Sequence, residues 1–131
     1  MSPNVGEELP AFTIDRVSSE AMKEWAVFLH DPNPIHLDPE VVKSKGLGDK
    51  VINQGPANVA YMMNMLMAAF PGATISKMQS RFLDNVYAGD HLIAGGKVTA
   101  RDDEQAQCEV WLRANDCTTV LTGTATLRFV P

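Results

Sequence analysis

The 131-residue chain has only two cysteines, Cys108 and Cys117, too few for a disulfide framework. Their placement near opposite ends of two late strand candidates fits reduced thiols that fill core space. Basic residues are also scarce: eleven Lys plus Arg stand against sixteen Asp plus Glu, for a formal net charge of −5. No basic cluster occurs that could neutralise a phosphate backbone, so nucleic acid is not expected as a partner. Long apolar runs are missing. The longest, around Tyr61 to Phe70, is interrupted by Asn64 and falls far short of the ~20 residues of a spanning helix, so a membrane is not expected either. Met1-Ser2-Pro3-Asn4 lacks the basic and apolar regions of a signal peptide, and a cytoplasmic location is the simplest expectation. No G-x-G-x-x-G or G-x-x-x-x-G-K-S/T string appears, and the length does not hold two βαβαβ halves, so no nucleotide cofactor is expected. His30, His36 and His91 do not form an H-x-x-x-H pattern, nor the cysteines a C-x-x-C, and no metal is expected.

What is present reads as one globular domain, residues 1–131, with 45% hydrophobic and 21% charged residues. Two regimes meet near residue 72. From Ser18, a plausible N-cap with Glu20 in the first turn, Met22, Trp25, Ala26 and Leu29 recur at helical spacing. Pro32 and Pro34 then remove backbone donors and make residues 31–36 an irregular loop. A short helix is expected from Pro39 to Ser44, closed by Gly46. Gly55-Pro56 opens a longer one, which runs through Ala57 to Phe70 and stops at Pro71-Gly72. Only Asn58, Asn64 and the Tyr61 hydroxyl interrupt its apolar surface, which predicts a helix buried on most sides and wrapped by a sheet.

Five strand candidates follow from β-branched alternation: residues 8–14, 74–83, 91–101, 105–114 and 118–130. The short polar breaks Asp102-Asp103-Glu104 and Asn115-Asp116 join the last three as consecutive antiparallel hairpins. Helices followed by strands indicate an α+β fold, with helices on one face of an antiparallel sheet.

The densest polar cluster is His30-Asp31-Pro32-Asn33-Pro34-Ile35-His36-Leu37-Asp38. A carboxylate with an imidazole is a natural acid–base pair, because burial and each other's charge can tune both toward neutral pH. The same residues also suit a purely structural loop in which Asp31 and Asn33 bond nearby backbone amides. At Gly55-Pro56 the unpaired first amides of a helix would suit an oxyanion, or the glycine simply supplies a turn. Met62, Met63, Met65 and Met67 suit either an adaptable core or the floor of an acyl tunnel.

Taken together, these features resemble a known family. Asp31 to Asp38 is similar to the D-x-N-P-I/L-H-x-D segment of the MaoC-like, (R)-specific enoyl-CoA hydratases, which are single-domain hot-dog proteins. Val51-Ile52-Asn53-Gln54-Gly55 sits where that family has its strand-to-helix glycine. Arg81 to Asp90 resembles its R-F-x-x-P-V-x-x-G-D segment.

The resemblance implies a curved antiparallel sheet around the central helix, and a homodimer whose sheets become continuous. It implies hydration of a trans-2-enoyl-CoA thioester to the (R)-3-hydroxyacyl thioester, without a cofactor. Asp31 and His36 would hold and activate water, and the Gly55 amide would bond the thioester oxygen. Asn33, which also supports the loop, would border the substrate with Gln54, Pro56 and Met63. Three positions depart from the family pattern. His30 replaces a common glycine and is either a polar group at the site mouth or a helix-end histidine favoured by the macrodipole. Gln54 stands in place of a frequent histidine and Asn85 in place of proline, and both bear on acyl preference.

Two alternatives remain. A hot-dog thioesterase would carry an acidic residue on the central helix, and Ala57 to Phe70 has none. A catalytically silent acyl-thioester-binding subunit would lack the Asp or His, and both are present. The acidic balance argues against docking an acidic carrier protein.

Overall fold

The computed structural model describes residues 3–131. Its elements are β1 (Phe12–Ile14), α1 (Ser19–Phe28), a 3-10 turn (Pro34–His36), α2 (Pro39–Ser44), α3 (Gly55–Ala69), β2 (Thr74–Phe82), β3 (Leu92–Arg101), β4 (Gln105–Ala114) and β5 (Thr118–Arg128). All five strands lie in one antiparallel sheet, in the order β1-β3-β4-β5-β2. The expected segregation of helices and strands is therefore the observed one.

Local chemistry sets the boundaries. Ser18 caps α1 by accepting the Ala21 N–H. The N-terminal strand is shorter than expected because Pro10 has no N–H to give. Glu8 makes only an isolated bridge to Lys97, and continuous pairing begins with Phe12 opposite Ala94. In the β4–β5 turn Asn115 (φ 54°) and Asp116 (φ 62°) both take positive φ, as a type I′ hairpin requires.

The inward positions of β4, namely Ala106, Cys108, Val110, Leu112 and Ala114, are buried and alternate with more exposed polar or amphipathic ones. Met62, Met65 and Leu66 of α3, and Phe70 just beyond it, belong to the same buried cluster. Burying each such side chain stabilises the fold by about 1.5–3 kcal/mol, so this face dictates how the helix lies. Register shifts at Ile75/Lys77, Val98/Ala100 and Leu112/Arg113 add the local bends that let a sheet curve round a helix. The result is the hot-dog arrangement.

The α3 helix is buried or half-buried over most of its surface, as its apolar composition predicts, and keeps one open stripe: Met63 and Met67 are 40% and 42% exposed, and Pro56, Asn64 and Ala68 share that side. One expectation about the cysteines needs correction. Cys108 is a buried thiol as expected, but Cys117 lies exposed after the β4–β5 turn and fills no core space. On α1 the expected stripe is the covered face: Met22 is fully buried and Trp25, Ala26 and Leu29 are half-buried, while Lys23, Glu24, Val27 and Phe28 are exposed. Among the described residues no helix is long and apolar enough to cross a membrane.

Candidate active site

The loop from 31 to 39 is built from side-chain caps. Asp31 Oδ1 accepts the Asn33 N–H (3.1 Å), Asn33 Oδ1 the Ile35 N–H (3.2 Å) and Asp38 Oδ1 the Glu40 N–H (2.9 Å). Asn33 thereby caps the 3-10 turn and Asp38 caps α2, with Pro34 and Pro39 in first-turn positions that need no N–H donor. The structural reading of Asp31 and Asn33 is thus correct as far as it goes. It uses only one oxygen of Asp31.

The other oxygen faces a histidine. Asp31 Oδ2 lies 3.4 Å from His36 Nε2, with the Asp31 side chain 37% exposed and that of His36 10%. His36 Nδ1 lies 2.6 Å from the Ile52 carbonyl oxygen. A carbonyl oxygen only accepts, so Nδ1 carries the hydrogen and donates it, which leaves Nε2 as the basic nitrogen of the neutral ring. Two acceptors, Nε2 and Oδ2, therefore face each other at 3.4 Å. Such a pair can orient a donor such as water and take a proton from it.

Asp31 is aimed by the end of α1. The His30 N–H bonds Val27 O and the Asp31 N–H bonds Ala26 O, the paired bonds of a Schellman turn, and His30 takes φ 52° to make them. His30 stands at the C-terminal end of α1 and also lines a groove beside Asp31. The backbone requires a left-handed residue, the role that Gly46 (φ 70°) fills after α2 with the same two bonds, Gly46 N–H to Lys43 O and Leu47 N–H to Val42 O.

His36 is anchored through the 51–53 segment. The Ile52 N–H donates to Ile35 O (2.9 Å), the Asn53 N–H to Val86 O (2.7 Å), and Val51 O receives the Ala88 N–H (2.9 Å). The 86–90 loop is itself clamped: Asp90 accepts from the Tyr87 N–H and from Asn115 Nδ2, and the Tyr87 hydroxyl donates to Leu47 O. The Gly-Asp segment thus acts as a clamp and supplies no reactive group.

Gly55 begins α3 three residues after Ile52. Gln54 O accepts the Ala57 and Asn58 N–H groups (3.1 and 3.3 Å), and the intervening peptide is trans. The Gly55 N–H therefore points the opposite way, out of the helix end, where no intrahelical carbonyl can reach it. Gly55 has no positive φ, so a turn does not explain it. A Cβ there would stand 3.2 Å from Phe82 Cε1 and 3.4 Å from Cζ. Phe82, at the end of β2 and 56% exposed, flanks the helix start. In the sequence Phe82 is only one letter of the Arg81–Asp90 segment, because the neighbour that gives it a role, Gly55, is 27 positions away.

The remaining expected site residues divide. Pro56 and Met63 lie on the open side of α3. Asn33 is exposed beside the pair. Gln54 does not line an open surface: it is fully buried, and its Nε2 donates to Met22 O (2.8 Å). Next to Asp31 an open groove of about 580 Å³ is walled by Ala26, Val27, Pro32 and Leu37, with Lys23 among its lining residues. Among the described residues no three His, Cys, Asp or Glu side chains converge as metal ligands.

A hot-dog fold with a carboxylate–imidazole pair close to the N-terminus of its long helix defines a class of protein with an acid–base site. The family model described as "MaoC like domain" matches residues 3–119, and the chain belongs to the MaoC-like family. A mitochondrial 3-hydroxyacyl-[acyl-carrier-protein] dehydratase of Arabidopsis thaliana is 33% identical over 76 residues, which is 58% of this chain and 45% of that protein. A tomato relative, the FERN dehydratase, is 35% identical over 70 residues, 53% of this chain and 42% of that protein. The matched stretch thus spans less than half of these relatives. Among solved structures, an (R)-hydratase from A. caviae involved in PHA biosynthesis superposes with a TM-score of 0.88 at 22% identity, covering 98% of both chains. The HadBC (3R-hydroxyacyl-ACP dehydratase) complex from Mycobacterium tuberculosis gives 0.73 at 17% identity, covering 97% of this chain and 99% of that one. These two likenesses are of fold.

Proposed function

We propose that this chain is a hydro-lyase that interconverts a trans-2-enoyl-CoA thioester and its (R)-3-hydroxyacyl thioester. The observation that carries this reading is the 3.4 Å approach of Asp31 Oδ2 and His36 Nε2, with Nδ1 already committed to Ile52 O. A water held there donates one O–H to each acceptor. One of them takes a proton as the water oxygen bonds Cβ, and the π electrons pass into an enolate. Its oxygen rests on the outward Gly55 N–H at the positive end of α3. The proton held by the pair then returns to Cα on the same face, so one H₂O is added with no change in redox state. The dehydratase and (R)-hydratase names of the relatives support the reaction class.

The groove beside Asp31 suits the apolar parts of an acyl thioester, and Asn33, Pro56 and Met63 border the approach. Two copies pair through the free edge of β2 and the adjoining part of α3, which would cover Met67, Phe82 and Leu83 and leave Met63 at the border of the contact.

The test is loss of the ultraviolet absorbance of crotonyl-CoA. Asp31→Asn and His36→Ala should each lower kcat by about 10²–10⁴ while the protein stays folded. Wild-type turnover in both variants would sink the reading, and release of free thiol would replace hydration with hydrolysis.

A further inference from the structure

We infer that Gln54, which cannot touch substrate, is a positioning residue: its side chain braces the helix that carries the Gly55 amide against the helix that aims Asp31. This rests on the hydration reading given above. Gln54 occupies the N-cap of α3, yet its side chain makes no cap bond. It crosses thirty-two positions of sequence to donate from Nε2 to the carbonyl of Met22 on α1, and both residues are 0% exposed.

Both ends of this bond are coupled to the site. The Gln54 carbonyl and the Gly55 N–H belong to one planar peptide, so a tilt of Gln54 re-aims the N–H. On the other side α1 runs as a rigid rod from Met22 into the Schellman turn that ends on Asp31. His36 is held separately, through Ile52. Without the brace, the donor that meets the enolate oxygen and the carboxylate that meets the water lose this direct polar tie and are joined through non-directional core packing and that longer route.

The other half of the amide shows what the residue is kept for. Gln54 Oε1 is sealed from solvent and has no hydrogen-bond partner among the described residues. A sealed acceptor without a partner offsets much of what the Nε2 bond contributes. The residue is therefore a poor choice for stability, and its value lies in geometry.

The experiment compares Gln54→Met, which keeps length and removes both polar atoms, with Gln54→His, which restores a ring N–H able to reach Met22 O. In Gln54→Met the melting temperature should move by no more than about 4 °C. Turnover of crotonyl-CoA should fall about 10- to 100-fold in kcat, with KM within about 3-fold, because the loss is confined to the transition state. Gln54→His should return kcat to within about 3-fold of wild type. In ¹⁵N–¹H spectra the Asp31 and Gly55 peaks should move together in Gln54→Met and return in Gln54→His.

Wild-type kcat with unmoved peaks in Gln54→Met, a Gln54→Met protein that does not fold, or a folded Gln54→His as slow as Gln54→Met would each overturn the proposal. A wild-type protein that hydrates no enoyl-CoA would instead sink the hydratase reading, and the spectra would still decide the brace.

Discussion

Replacing His30 with glycine should make the protein more stable, although it removes every side-chain contact at that position. His30 holds φ 52° at the end of α1, where its N–H and that of Asp31 close the Schellman turn. A left-handed backbone costs a residue with a Cβ about 1–2 kcal/mol. Glycine escapes that cost but gives back roughly 0.5–1 kcal/mol through its greater freedom in the unfolded chain. The difference leaves a net gain of about 0.5–1 kcal/mol, or about 2–4 °C in melting temperature for a chain of this size. Gly46 after α2, in the same turn with φ 70°, is the internal precedent. Thermal and urea unfolding should be measured for wild type, His30→Gly and His30→Ala. Alanine keeps the Cβ and should gain nothing. Lower stability of His30→Gly, or equal shifts for glycine and alanine, would show that the ring and not the backbone decides this position.

Two further outcomes follow from packing and titration. Gly55→Ala places a methyl group 3.2 Å from Phe82 Cε1, so the ring must swing aside at the helix start. The kcat/KM for crotonyl-CoA should fall about 10-fold or more, and adding Phe82→Leu should recover part of it; additive losses would mean that the two residues do not meet. Burial pushes the Cys108 thiol up from 9.0 to about 11, which favours its neutral form in the folded state. The associated stability is complete below about pH 9 and is lost as pH rises through 11. The urea midpoint should therefore drop less between pH 9 and 11 in Cys108→Ala than in wild type, whereas parallel curves would refute the assignment.

The parts of the site that were legible beforehand are those made by short-range chemistry. Asp31, Asn33 and Asp38 each cap a backbone N–H two residues ahead, so the polar-proline string encodes its own loop. The Gly55-Pro56 helix start and the Pro71-Gly72 stop are equally local, as are the positive φ values of Asn115-Asp116. The α+β order followed from where helical spacing gives way to alternation. By contrast, Gln54 was expected against substrate and is sealed in the core, because the carbonyl that holds it lies thirty-two positions away. The exposure of Cys117 was equally hidden, since a residue beside a turn can face either way.

By itself, then, the sequence determined the elements, their order, the loop that carries Asp31 and His36, and the family to which the chain belongs. Propensity, capping and spacing act within a few residues, and a string of residues records them directly. Only the tertiary structure decided which nitrogen of His36 is free, since that follows from its bond to Ile52 O sixteen positions on. It also decided that Phe82 flanks Gly55, and that one side of α3 stays open. Those facts depend on how the sheet closes round the helix, and closure is a property of the packed whole: each side chain's surroundings are set by residues that no local pattern names.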